Sequence, residues 1–155
     1  MGSDDGAPMN TDERRFDDLT YQIIGCAFEV HNRLGHGFLE KIYENAMVYE
    51  LRHLGLRVEQ QVPMSVSYKE IVAGEYIADL IVEGLVLVEL KAIRGIDPAH
   101  IAQCINYVTA TKLAVGLVIN FGLKVEHRRV AGASLRDPSV QIGAPSAATL
   151  LPRSE

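Results

Sequence analysis

Ala78-Asp79-Leu80-Ile81-Val82-Glu83-Gly84-Leu85-Val86-Leu87-Val88-Glu89-Leu90-Lys91 reads as two strands joined by a tight turn at Glu83-Gly84. Both are so rich in Ile, Val and Leu that they are expected to be covered on both faces. Charge is out of place there, yet Asp79 lies inside the first strand and Glu89 and Lys91 end the second. An unpaired buried ion costs several kcal/mol, on the order of the stability margin of a small domain, so these charges pair with one another or hold a metal. Glu89 and Lys91 stand two apart, which on a strand points both to one face. Two carboxylates and a lysine on one face suit binding a hard cation and positioning a water beside a phosphate. A structural ion pair accounts for the same residues equally well at this point.

Register sharpens the choice. A two-residue turn would pair Val82 with Leu85 and Asp79 with Val88, leaving Asp79 and Glu89 on opposite faces. A shared site therefore requires an odd connection, such as three residues with Gly84 in the left-handed conformation, or a bulge.

Outward from this hairpin, 155 residues with 48% apolar and 23% charged side chains suit one ordinary globular domain. No apolar run approaches the roughly 18 residues of a membrane span and the N-terminus lacks the core of a signal peptide, so a cytoplasmic protein without membrane contact is expected. Cys26 and Cys104 lie in apolar helical patterns without Cys-x-x-Cys spacing, which reads as buried free thiols. The five histidines show no paired ligand spacing, so zinc chemistry is not expected. The net charge of −5 argues against a protein that coats nucleic acid by bulk electrostatics. Between Phe16 and Val130 there are 14 acids and 11 bases, a net of −3, so any nucleic-acid contact must be local.

Residues 1–16 read as a disordered leader. Leu19, Ile23, Cys26, Ala27, Val30 and Leu34 recur at helical spacing from Asp17 to Leu34, and Gly35-His36-Gly37 closes that helix. A second helix is expected from Phe38 to about His53, with Gly37, Glu40 and Tyr43 stacked as one ridge by their spacing of three. Glu40 is expected within reach of Asp79 and Glu89, this helix covering the sheet face that carries them. Leu56–Tyr68, interrupted by Pro63, reads as an edge or bulged strand. It leads into Glu75–Val82 and Leu85–Lys91. Asp97-Pro98 starts a third helix to about Thr111, with Asp97 as N-cap, and His100, Gln103 and Tyr107 on a ridge apart from its apolar face. Leu113–Phe121 is an apolar central strand reached through that helix, Val125–Val130 a short closing strand, and residues 131–155 a flexible tail. The class is α/β, a mixed sheet flanked by helices in the order αβββαβ.

This order, with Asp79 followed by Glu89-Leu90-Lys91, resembles the PD-(D/E)XK nuclease superfamily and its restriction-endonuclease-like core. Gly37-Phe38-Leu39-Glu40-Lys41-Ile42-Tyr43 matches the motif that names the bacterial GxxExxY proteins. Ile24 to Gly37, Gln61-Val62-Pro63, Gly74 to Leu80 and Ile119-Asn120-Phe121-Gly122 look like that family as well, so the likeness covers residues 17–130. The resemblance implies that Asp79, Glu89 and the carbonyl of Leu90 hold magnesium or manganese, that Lys91 is the catalytic lysine, and that Glu40 completes the site. Gln103 to Tyr107 is similar to the Gln-x-x-x-Tyr helix motif of RecB-like exonucleases and implies contact with substrate. Ala78 stands where the family pattern has proline. The implied activity is metal-dependent hydrolysis of nucleic-acid phosphodiesters, DNA ahead of RNA. The alternative is a catalytically silent module that uses the same fold to bind nucleic acid or a protein partner.

Overall fold

The computed structural model describes residues 11–132 and 142–143. Three helices and six strands follow in the order α1 (Thr11–Leu34), α2 (Glu40–His53), β1 (Val58–Tyr68), β2 (Ile71–Val82), β3 (Val86–Lys91), α3 (Pro98–Thr111), β4 (Val115–Phe121), β5 (Val125–Ala131) and β6 (Ile142–Gly143). The strands form one mixed sheet in the order β5-β4-β3-β2-β1-β6. β3 and β4 are parallel and joined through α3, while every other neighbouring pair is antiparallel. No helix among the described residues is long and apolar enough to cross a membrane.

Alternation along β3 divides the core into two layers. Val86, Val88 and Leu90 face α1 and α2, where Ile23, Val30, Tyr43, Met47 and Leu51 cover them. Leu87 faces the other way and packs with Cys104 and Val108 of α3. Each fully buried Leu, Ile or Val contributes about 1.5–3 kcal/mol by leaving water. The α3 layer lies close because Gly116 of β4 has no side chain: a Cβ there would stand 2.5 Å from Val108 Cγ2 and 2.9 Å from Cys104 Sγ.

The start of α3 follows its sequence signals. Asp97 Oδ1 accepts from Ala99 N at 2.8 Å, and His100 Nδ1 accepts from Asp97 N at 3.0 Å. These bonds satisfy donors that a helix start otherwise leaves open, with Pro98 at the first position. His100 is thereby taken up as a cap.

Several boundaries differ from the sequence reading, and β2 already starts at Ile71 where Glu75 was expected. Helix α1 begins at Thr11, so residues 11–16 of the expected leader are helical. Phe16 packs against the α1/α2 core, which rewards the extension. Residues 1–10 lie outside the described residues. Within the expected tail of 131–155, Ala131 completes β5, and Ile142–Gly143 pairs with Ser65 and Val66 on the outer side of β1. That edge otherwise presents unpaired backbone groups. The rest of the tail lies outside the described residues. Helix α2 begins at Glu40, so Gly37 precedes it in a left-handed conformation with φ of +101° and is not part of a helical ridge.

Candidate functional site

The β2–β3 connection has three residues. Val82 pairs with Val86, Ile81 with Leu87 and Leu80 with Val88, leaving Glu83, Gly84 and Leu85 in the turn. Glu83 and Gly84 take left-handed φ values of +55° and +63°, and Glu83 is held by Arg57, whose N–H donates to Glu83 Oε1 at 2.7 Å. One step further, this register sets Asp79 opposite Glu89, the arrangement that a two-residue turn would have forbidden.

The ladder between β2 and β3 stops at Leu80 and Val88, one residue short of the carboxylates. Beyond it the Leu90 N–H donates to the Asp79 side chain, to Oδ2 at 2.8 Å. β2 also rolls over here. Leu80 and Val82 belong to the α1/α2 layer, whereas Ala78 and Tyr76 belong to the α3 layer. On β1, Gln61 stands across from Asp79 with φ of +54°, and the bridge between them is missing from a run that otherwise continues from Val58 to Val66. A non-glycine residue in that region is uncommon and costs about 1–3 kcal/mol.

Glu89 shares the α3 side of β3 with Leu87 and is only 7% exposed. Its Oε1 is buried with no hydrogen-bond partner. Burial pushes this carboxyl up to about 7, with Lys91 opposing and Glu40 adding to the shift. Lys91 is half-buried at the end of β3, and its side chain makes no hydrogen bond or ion pair with any described residue. The Asp79 carboxyl is raised by burial, against the Leu90 hydrogen bond, while Glu44 pushes it further up. Glu40, though its residue is exposed, is raised by partial desolvation and then by Asp79, with Lys91 opposing. Lys91 and Glu40 therefore each couple electrostatically to both Asp79 and Glu89.

Helix α2 reaches this cluster from an unexpected side. It covers the face of Leu80, Val88 and Leu90, not the face that Glu89 shares with Leu87. Its first turn comes near the carboxylates where the β2–β3 ladder has ended. Tyr43 fixes that turn: wholly buried and stacked on Phe121 at 4.5 Å, it donates from Oη to Gly35 O at 2.6 Å and accepts from Phe38 N at 3.3 Å. The Gly-x-x-Glu-x-x-Tyr spacing thus closes a loop onto the helix start.

Sequence reasoning missed Glu44, which is 3% exposed and one helical turn beyond Glu40. It accepts from Lys41 Nζ at 2.6 Å, Gln60 Nε2 at 2.5 Å and Gln61 Nε2, and the Gln61 amide also reaches Asp79 Oδ1 at 3.5 Å. The available signal was the i,i+4 pair of glutamates beside a fully apolar face. Asn120 was quoted without a role. Fully buried, it accepts from Ile93 N and donates to Ile93 O, both at 2.9 Å, extending the β4 ladder past Lys91 and fixing the chain that follows it. On α3, Gln103 is exposed, while Tyr107 stacks flat on Tyr76 with ring centres 3.3 Å apart.

Among the described residues no three His, Cys, Asp or Glu side chains converge as a ready-made metal cage. A small hard cation needs fewer, since it keeps several waters and takes one or two carboxylates. Asp79 and Glu89, level with each other past the ladder end, with a buried oxygen lacking a donor and raised carboxyl values, fit such an ion.

No curated protein matches the chain. Among solved structures, a crystal structure of SSO0001 is similar at 13% identity and a TM-score of 0.48, over 76% of this chain and 60% of that one. The model of one family matches residues 17–130, from the second turn of α1 to Val130 of β5 and across every residue of the site. The chain belongs to the PD-(D/E)XK nuclease superfamily.

Proposed function

We propose that this protein is a magnesium- or manganese-dependent phosphodiesterase of the GxxExxY type that hydrolyses nucleic acid, DNA ahead of RNA. The observation that carries this reading is the buried, donorless Oε1 of Glu89, level with Asp79 just past the last β2–β3 bridge, with a lysine two residues on whose side chain is unpaired. An apolar core would not retain such a carboxylate unless a ligand relieved it. Asp79, Glu89 and the Leu90 carbonyl would hold the ion, which when bound acidifies a water and polarises the phosphate. Lys91, free of carboxylate partners, supplies positive charge to the oxygens on which charge develops. Glu40, at the solvent edge of the cluster, orients the attacking water. Gln103 is exposed for contact with the strand, and Tyr107, backed by Tyr76, walls the approach. A cytoplasmic setting fits the two unbridged, buried cysteines.

The test pairs thermal melting with cleavage of single-stranded, duplex and RNA substrates, with and without each metal. Wild type is expected to melt higher with metal and to cut only with it. Lys91→Ala should lose on the order of 10²–10³-fold in rate while keeping the melting shift. Asp79→Asn should lose both. A wild type that neither shifts nor cuts would establish the silent binding module instead.

A further inference from the structure

Three loops meet at the end of the sheet where Lys91 emerges, and their contacts are built in. His31 bonds to Gly122 O at 2.9 Å, and Gly35 N donates to His31 O at 2.8 Å. Asn120 clamps Ile93, and a Cβ on Gly122 would stand 3.0 Å from Ile93 O. Tyr43 ties Gly35 and Phe38 to Phe121. On this shared platform large apolar side chains point outward: Leu39 is 78% exposed and Leu123 77%, with Phe38, Ile42 and Ile93 also exposed. Leu39 immediately precedes Glu40, so the apolar rim borders the site itself.

Free cations are scarce in these loops. Lys41 is tied to Glu44, which leaves Lys91, Arg94 and Lys124. A continuous duplex offers its reader phosphates and hides the faces of its bases. A single strand offers both, and apolar side chains take base faces without regard to sequence. We infer that, given the phosphodiesterase reading above, the rim of Phe38, Leu39, Ile93 and Leu123 receives unstacked bases, so that the substrate is a single strand or a frayed end and not an intact duplex.

The test measures binding of labelled, hydrolysis-resistant phosphorothioate strands to the full chain with magnesium, alongside hydrolysis of bis(p-nitrophenyl) phosphate, a diester too small to need the rim. A single strand should bind at least roughly tenfold more tightly than the blunt duplex. Three phosphate contacts set the slope of log affinity against log salt near −2, at about −0.7 each. The double substitution Leu39→Ser and Leu123→Ser lies wholly on the surface. It should abolish the strand preference and leave the small diester untouched. Equal binding of strand and duplex, no binding of either, or a preference that survives the substitution overturns the inference. If the small diester is not hydrolysed by wild type, the catalytic reading falls while the binding comparison still judges the rim.

Discussion

At the turn end of the β2–β3 pair, Val82 faces Val86 and both are wholly buried. Three positions along, the same register brings Asp79 level with Glu89, past the last bridge, and Glu89 is almost as deep at 7% exposure. Glu89 is therefore buried nearly as fully as the valines, while the energetics are opposite in sign. The valines gain by leaving water, whereas the glutamate loses its hydration and gains no donor at Oε1. One hairpin holds the domain together at one end and keeps a destabilised carboxylate at the other.

The strongest way to break that contrast is at its apolar side. Leu80→Ala, at the last bridge, should cost about 2–5 kcal/mol in urea unfolding. A cost below about 1 kcal/mol would mean that the ladder end is already loose. The charged end should answer to pH in the reverse sense. Glu89 has an ordinary value of 4.5 and is pushed up to about 7 in the fold. Between those values the native state keeps a proton that the unfolded chain has released, so metal-free stability should fall as pH rises through that window. The full effect is on the order of 3 kcal/mol. Glu89→Gln should accordingly stabilise the metal-free protein at pH 8 and change little at pH 4; equal effects at both would show that another group is responsible. The smallest effect belongs to the turn that sets both registers. Gly84→Ala at φ of +63° should cost about 1 kcal/mol in the same unfolding measurement, since the nearest atom to its new Cβ is the flexible end of Arg57 at 3.3 Å.

The three-residue turn was legible because charge cannot be shared across a sheet: a site common to Asp79 and Glu89 required an odd connection, and three residues join the strands. The cap of α3 was legible because Asp97-Pro98 acts locally. Glu44 was not, because a glutamate one turn into a helix looks solvated unless Gln60 and Gln61 are known to lie against it, and they come from a strand far along the chain. The face covered by α2 was misread for a related reason. Its apolar stripe says that it packs on the sheet, while the side is decided by where β2 rolls over at Asp79, opposite the left-handed Gln61. Tyr76 gave no signal as the partner of Tyr107, since ring pairing between a strand and a helix has no sequence period.

The parallel pairing of β3 with β4 also bears on how the chain is made. The β1–β2 hairpin and β3 can assemble from consecutive segments as they emerge, in microseconds once free. The other edge of β3 has no neighbour until α3 and all of β4 have followed, because a parallel partner must be reached through the crossover. At about 5–20 residues per second, translation from Lys91 to Phe121 leaves that apolar edge open for seconds, far longer than hairpin formation takes. The window in which a nascent chain could pair with a second copy of itself thus falls on the strand that carries Glu89 and Lys91.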